Sequence, residues 1–375
     1  MQHLFKSHIA TGLVRLSGFW LLSRLRRCVG ILILGLSLTA VSVPLHAQVA
    51  GLNTLSLLQT PSSARTASLG VDFLSVFSPQ DLNVGIDNPS LINSGNHRRL
   101  VLDYVSLFSG GNSGTVAYGY DFKRFGVFIF GFHFNGYGKF DAYDDMEVEQ
   151  GTFFASDIAI SVNWGLNIDS NFSLGASLKP VYSQYESYNA FALALNLAGS
   201  YVSDSRRFAV TLQARNIGSQ LATFDGSVEP LPFNLAASMS YKLSDAPFRF
   251  FFQLDHLTRW KLHYTDDLNP ETVIDPYTGE EVSTPWYDNI SKFLNHASRH
   301  ASLGVEFDIK NLFFLRLGYR FRQTLEMSAS DRTNINLSGF CYGFGLKTKK
   351  FEFSFARRNY HLGQAPNYLS LSFRL

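Results

Sequence analysis

The chain has 375 residues, of which 46% are hydrophobic and only 17% charged, and its formal charge is +2. Beyond the N-terminus there is no run of about eighteen apolar residues, which excludes a membrane-spanning helix there. The 34 Phe, 17 Tyr and 29 Gly, without long apolar runs, are typical of strands that face lipid on one side and water on the other.

Residues 1–47 are predicted to be a signal peptide. Four arginines precede the apolar stretch 29–38, and Leu45-His46-Ala47 is a small-residue cleavage site. The alternative is an uncleaved anchor in the inner membrane, but the apolar stretch is short and a cleavage motif follows it. Cleavage would remove five positive charges and no negative one, so the formal charge would fall from +2 to −3. The basic character that favours nucleic-acid binding would be lost with it.

Residues 48–98 are predicted to form a plug or a periplasmic segment. They do not alternate cleanly, and they contain Pro61, Pro79 and Pro89 with short apolar pieces such as 55–58. If the remaining chain forms a wide barrel, its lumen has room for such a segment. Lumens beyond eight strands are not filled by their own wall side chains.

From Arg99 onward the sequence alternates with a period of two. Ile158, Ile160 and Val162 are separated by Ala159 and Ser161, for example, and the same pattern recurs along 233–243, 302–308 and 313–322. Successive side chains of a strand point to opposite faces, so one face is apolar and the other carries small, polar and charged groups. Strands are predicted near 99–108, 113–122, 125–137, 154–166, 171–184, 188–202, 206–215, 232–243, 247–264, 300–308, 312–322, 338–347, 350–360 and 367–375.

The connections between these strands alternate in length. Every second connection is a tight turn, and the intervening ones are mostly long: 138–153, 216–231, 265–299 and 323–337. Short turns on one side, long loops on the other and an even count of about fourteen strands are typical of outer-membrane barrels. The final strand runs to Leu375 and can pair with the first to close the sheet. We therefore predict an all-β fold, a transmembrane antiparallel β-barrel over 99–375 with an N-terminal plug-like segment, located in the outer membrane.

No catalytic or metal-binding constellation is found. The fragment Gly111-Asn112-Ser113-Gly114 is interpreted as a hairpin turn, and His296 and His300 as two loop-end histidines. Asp255 and His256 are neighbours in a predicted strand, so they are expected to point to opposite faces and not to cooperate. Cys28 leaves with the signal peptide and Cys341 is then alone, which excludes a disulfide within the chain and a Cys-based zinc site. Neither an enzymatic activity nor a cofactor is expected.

The long loops contain a candidate contact site. Acidic residues crowd 141–149 and 265–299, and the second loop also carries large aromatic residues. Such loops are charged simply because they are exposed, or they form an acidic rim that binds a basic partner. Aromatic residues in an exposed loop are costly unless they pack or bind, and loops of this length usually have a function. The candidate partner-binding residues are Asp266, Asp267, Glu271, Glu280, Glu281, Trp286 and Tyr287.

Several stretches resemble one family along the whole mature chain. They are GLNT at 51–54, PSSAR at 61–65, SLG at 68–70, NPSL at 88–91, YGKF at 137–140, LKPVYS at 178–183, ESY at 186–188, RNIGSQ at 215–220, EPLPF at 229–233 and APFRF at 246–250. In this order they resemble the PorQ family, an outer-membrane component of the type IX secretion system. The plug-motif residues Ala64, Arg65, Asn88 and Pro89 are shared more widely, with barrels similar to the long-chain fatty acid transporter.

The resemblance implies a role in the attachment complex on the cell surface. The family is thought to hold a PorZ-like surface protein beside a PorU-like sortase and a PorV-like barrel, while cargo is joined to anionic lipopolysaccharide. We expect an anchoring barrel on this basis. The alternative is a transporter of hydrophobic small molecules across the outer membrane, which the plug-like segment favours. Charged inward positions such as Glu306, Arg316 and Arg320 speak mildly against an apolar conduit.

Overall fold

The computed structural model describes residues 55–107, 110–144, 146–260, 262, 286–326, 337–360 and 365–375. The predicted signal peptide, residues 1–47, lies outside them. In the described part of the chain, fourteen strands form one closed antiparallel barrel, which confirms the expected fold. The strands are β1 Arg99–Ser106, β2 Asn112–Asp121, β3 Val127–Tyr143, β4 Glu149–Asn167, β5 Phe172–Tyr185, β6 Tyr188–Val202, β7 Phe208–Ala222, β8 Asn234–Lys242, β9 Phe248–Leu254, β10 Ala301–Ile309, β11 Phe313–Arg320, β12 Phe340–Lys347, β13 Phe351–Arg358 and β14 Asn367–Arg374.

Within the described ranges, four α-helices accompany the strands. They are α1 Ala64–Ser68, α2 Leu82–Asp87, α3 Trp286–Arg299 and α4 Phe321–Glu326, and 3₁₀ turns cover Ser56–Leu58, Pro89–Leu91 and Ser94–Asn96. No helix in the described ranges is long and apolar enough to span a membrane.

The sheet closes between its first and last strands. Arg99 lies opposite Arg374 and Ser106 opposite Asn367, so β14 pairs with β1 along its full length. A closed sheet leaves no edge of unpaired N–H and C=O groups, which cannot be tolerated in hydrocarbon. The alternating C-terminal strand predicted from the sequence therefore completes the wall.

The outer face of the wall is apolar. Ile160, Leu303 and Leu317 are exposed on it, whereas the adjacent Ser161 and Ser302 point inward and are buried. Contiguous apolar surface on this scale is rare on soluble monomers, and a membrane-embedded barrel presents such a band to lipid. The alternation of apolar and polar residues along each strand thus produces an apolar outer face and a polar lumen.

The wall is taller on one side than on the other. The strand β4 has 19 residues, whereas β9 has 7. The predicted loops 138–153 and 216–231 are partly strand, because β3 continues to Tyr143 and β7 to Ala222. Most side chains at the end of β3 are exposed whichever face they occupy, so no apolar alternation marks this part of the strand in the sequence.

Two expectations between β9 and β10 are wrong. The strand β9 ends at Leu254 rather than near 264, because His256 adopts a left-handed φ of 54° that a strand cannot continue. The predicted loop 265–299 ends in the helix α3. Its apolar residues Ile290, Phe293 and Leu294 have helical spacing, which was the available signal in the sequence.

The segment 55–98 fills the lumen as a plug. Leu69 and Leu74 lie in one apolar cluster with Phe251 of the wall, and Leu82 and Ile86 lie in another with Ile129. Leu69, Leu74, Leu82 and Ile86 are almost completely buried. The plug-like segment expected from the width of the barrel therefore has its own apolar contacts with the inner wall.

Two inward-facing glycines allow the plug backbone to touch the wall. A Cβ on Gly175 of β5 would lie 2.2 Å from the carbonyl carbon of Pro89, and one on Gly318 of β11 would lie 2.2 Å from that of Leu69. Both distances are far below van der Waals contact. The glycines on the inner face of the strands thus mark where the plug is seated.

Gly175→Ala is expected to lower the free energy of unfolding by about 1–3 kcal/mol, because the new methyl group overpacks a rigid backbone contact. Urea unfolding of the refolded protein in detergent would measure the change. Gly114→Ala is the matched control, since its nearest neighbour, the Asp103 carbonyl oxygen, would lie at an ordinary 3.7 Å. Equal stability of the two variants would contradict the proposed seating.

Candidate functional site

Buried ion pairs connect the plug to the wall. Arg65 of α1 donates from Nη2 to Oε1 of Glu306 over 2.8 Å and from Nη1 to Oδ2 of Asp81 over 2.9 Å. Arg316 of β11 donates from Nε to the other Glu306 oxygen, also over 2.8 Å. Charges removed from water are tolerated when they are paired and hydrogen-bonded, as these four are. The cluster holds α1 against β10 and β11.

The remaining plug-motif residues also contact the wall. The Ala64 backbone N–H donates to the Ser370 hydroxyl over 2.8 Å, and the Asn88 side chain donates to the Thr211 hydroxyl over 3.1 Å. Pro89 lies against Gly175. The structure therefore places Ala64, Arg65, Asn88 and Pro89 at separate points of the plug–wall contact rather than in one site.

The helices of the plug are capped and joined by side chains. The Ser63 hydroxyl accepts a hydrogen bond from the Thr66 backbone N–H over 3.1 Å at the start of α1. The Thr66 hydroxyl donates to Asp87 at the end of α2 over 2.9 Å. Burial raises the pKa of the Asp87 carboxyl to about 6. These bonds give the plug a fixed internal arrangement on which the wall contacts depend.

A cavity of about 500 Å³ lies between the plug and the end of the barrel that carries the long connections. Its apolar lining includes Leu58, Leu107, Pro232, Phe233 and Tyr368. Five arginines line it as well: Arg215, Arg259, Arg320, Arg322 and Arg358. We call this space the outer cavity, because the long connections of outer-membrane barrels face outside the cell.

Arg320 is neutralised by two carboxylates. Its Nη1 donates to Asp72 of the plug, and its Nη2 donates to Asp255 over 3.1 Å. Burial alone would raise the pKa of Asp72, but Arg320, Arg215 and Arg358 together hold it well below its usual range. All three guanidinium groups therefore act on one plug carboxylate at the floor of the outer cavity.

Asp255 and His256 contact each other, contrary to the sequence-based expectation. The Nδ1 atom of His256 lies 3.1 Å from Oδ1 of Asp255. The expectation assumed a continuing strand, whereas β9 ends at Leu254 and the left-handed backbone at His256 turns its ring back towards the preceding side chain. The pair supports Arg320 rather than forming a separate site.

Arg358 lacks the partners that Arg320 has. It is 3% exposed, and its Nε and Nη1 have no hydrogen-bond partner in the part of the chain that the structure describes. Its guanidinium group lies 4.8 Å from the centre of the Tyr360 ring. Arg215 donates from Nη1 to the Asp72 carbonyl oxygen over 3.3 Å, and its Nε has no partner within the described ranges. Buried polar groups without a protein partner are usually satisfied by another group, such as a water molecule or an ion.

Sequence reasoning missed Arg215, Arg358 and Asp72. Alternate residues of a strand point to the same face, and this rule assigns Arg316 and Arg320 to the lumen. The same rule assigns Arg358 of β13 to the lumen, so its inward position could have been predicted from the sequence. No pattern along the chain shows that β7, β11 and β13 direct arginines to one plug aspartate, because that convergence follows from closing the barrel around the plug.

Most of the predicted partner-binding residues lie outside the described residues: Asp266, Asp267, Glu271, Glu280 and Glu281. Trp286 and Tyr287 form the first turn of α3. Within the described ranges, no group of three or more His, Cys, Asp and Glu side chains is arranged to hold a metal ion. His296 lies in the last turn of α3, and His300 follows the helix with Nδ1 2.7 Å from the Asp255 carbonyl oxygen.

Comparison with solved structures identifies the fold. A TodX deltaS2S3 mutant, a monoaromatic hydrocarbon channel, is 13% identical, matches 84% of this chain and 99% of its own, and gives a TM-score of 0.50. The toluene transporter TodX of Pseudomonas putida is 13% identical over 84% and 98%, with a TM-score of 0.47. A FadL homologue of Pseudomonas aeruginosa is 9% identical over 84% and 98%, with a TM-score of 0.41. No protein-family model and no curated protein sequence matches the chain.

Arg65→Leu is expected to lower the free energy of unfolding by about 3–5 kcal/mol, since it leaves Asp81 buried without its cation. Urea unfolding followed by tryptophan fluorescence would measure the loss. Arg124→Leu is the control, because Arg124 is exposed at the β2–β3 turn and lies over the adjacent Phe125 ring rather than over the plug. If both variants unfold at the urea concentration of the unchanged protein, the buried ion pairs do not hold the plug.

Proposed function

We propose that this chain is an outer-membrane channel for small molecules with an apolar body, and that the outer cavity binds them first. The observation that carries the proposal is the outer cavity itself, enclosed by the barrel wall and the plug. Its volume of about 500 Å³ suits a small organic molecule. Leu58, Leu107 and Pro232 line it and provide apolar contact. The fold shared with a hydrocarbon channel supports this proposal over that of a purely anchoring barrel.

A second, smaller cavity lies on the opposite side of the plug. It measures about 110 Å³ and is lined by Arg65, Phe77, Lys242, Glu306 and Asp308 among others, at the end with the short turns. Arg65 and Glu306, which hold α1 to the wall, also line this cavity. Passage from the outer cavity to this one would therefore require the plug to move, and the ion pairs of Arg65 are among the contacts that oppose this movement.

Leu107→Trp is expected to abolish uptake of a hydrophobic dye, because the indole ring fills part of the outer cavity. The measurement is the initial rate of N-phenyl-1-naphthylamine fluorescence in Gram-negative cells that express the protein. Their lipopolysaccharide layer otherwise slows the dye.

Leu102→Trp on the preceding strand β1 is the control, since Leu102 is exposed on the lipid face. Uptake should fall to the rate of cells without the protein in Leu107→Trp and stay unchanged in Leu102→Trp. Equal rates in cells with and without the unchanged protein would refute the channel.

We also propose a second candidate function, anchoring of a surface protein of the type IX secretion attachment complex. The observation that favours it is the tall side of the barrel. The hairpin formed by β3 and β4, the two longest described strands, exposes Phe140, Tyr143, Met146 and Phe154. Exposed apolar groups of this size are typical of protein interaction sites. The resemblance to the PorQ family supports a PorZ-like partner.

A co-purification experiment would test the anchoring role. The protein would be isolated in mild detergent from cells with a type IX system, with the hairpin tip 138–153 or the loop 265–299 replaced by a short turn. A surface protein that is retained by the unchanged chain and lost in one variant would support anchoring and locate the contact. If the unchanged chain retains no surface protein, the anchoring role is ruled out.

A further inference from the structure

The outer cavity has more positive than negative charge. Five arginines line it, whereas three carboxylates pair with them: Asp72 and Asp255 with Arg320, and Glu326 with Arg322 at 3.9 Å. Among the described residues this leaves a surplus of two positive charges. A cavity wall of low dielectric does not screen such a surplus as water does, so an anion inside is strongly favoured.

Arg358 and Arg215 are the arginines best placed to meet an anion. Both line the outer cavity, and neither forms an ion pair with a carboxylate among the described residues. Arg358 is almost fully buried, and its Nε and Nη1, which are themselves buried, have no hydrogen-bond partner among the described residues. Both also lower the pKa of Asp72, against the effect of its burial, which places them around the same plug carboxylate. They approach it from two strands, β7 and β13.

We infer that the outer cavity contains a phosphate-binding site formed by Arg215 and Arg358, with Arg320 beside them. A guanidinium group presents parallel N–H donors that match two oxygens of a phosphate. A doubly charged phosphate neutralises the surplus of two charges counted among the described residues, whereas a single carboxylate leaves one of them. The site goes beyond the proposed function, because binding requires neither conduction through the barrel nor a protein partner.

The phosphate group could belong to inorganic phosphate or to an organic phosphoester, and the apolar lining of the cavity distinguishes the two. Leu58, Leu107 and Phe233 line the same cavity and would contact an organic group attached to the phosphate. A phosphoester with a small apolar group therefore gains contacts that inorganic phosphate cannot make. Comparison of the two probes shows which one the site is built for.

Isothermal titration calorimetry of the full chain in nonionic detergent would test the inference at constant ionic strength. Inorganic phosphate and hexyl phosphate are the probes, and hexanoate is the monoanionic comparison. We expect saturable binding of phosphate and a loss of about tenfold or more in affinity for Arg358→Gln, as for removal of a charge-assisted hydrogen bond. Tighter binding of hexyl phosphate identifies a phosphoester ligand, and equal or weaker binding identifies free phosphate.

Arg124→Gln is the matched control, because it removes the same charge at the exposed β2–β3 turn. It should bind phosphate like the unchanged protein. If Arg358→Gln does not fold, Arg215→Gln, whose residue is only half-buried, takes its place in the same titration. Absence of saturable phosphate binding, equal affinity in the cavity variant and the control, or binding of hexanoate as tight as that of hexyl phosphate would each overturn the inference.

Discussion

The whole fold depends on one requirement, that the sheet must close because the hydrocarbon core of a membrane offers no water to unpaired backbone groups. The pairing of β14 with β1 satisfies the backbone of both edge strands, and fourteen strands set a lumen too wide for the wall side chains to fill. The plug fills the part of this wide lumen that the wall side chains leave empty. Its apolar side chains, including Leu69 and Leu82, replace the core that a narrower barrel makes from its own wall.

The polar lumen determines how the plug is held and what remains beside it. A wall that puts apolar groups outward must put serine, asparagine and arginine inward, so plug contacts include hydrogen bonds and ion pairs as well as apolar packing. Arg65 is paired with Glu306 and Asp81, and Arg316 with Glu306, whereas Arg358 on the same inner face has no carboxylate partner among the described residues. The arginines that are paired with carboxylates hold the plug to the wall, whereas Arg358 remains available to bind a ligand. The inward positions on the wall follow from the same alternation in both cases.

The sequence predicted the wall better than the lumen. The alternation predicts the strands because neighbouring side chains in a strand point to opposite faces of the sheet. On the same basis it assigns Arg316 and Arg320 to the inner face. The resemblance selected Arg65 and Asn88 but did not show their partners, since Glu306 and Thr211 lie far along the chain. Alternation failed at the top of β3, where the side chains are exposed on either face, and at His256, whose left-handed backbone ends β9. The grouping of Arg215 and Arg358 around Asp72 is a property of the closed fold and has no local pattern.

The unequal strand heights give the barrel an oblique rim. With a rise of about 3.3 Å per residue, strands as different as β4 and β9 end at very different levels above the short-turn side. The β3–β4 hairpin then stands as a wall on one flank, while the strands around Arg320 and Arg358 end low on the other. On the low flank, the described residues beyond the strand ends include the helices α3 and α4. A large protein resting on the high flank would therefore contact a part of the mouth that is separate from these helices.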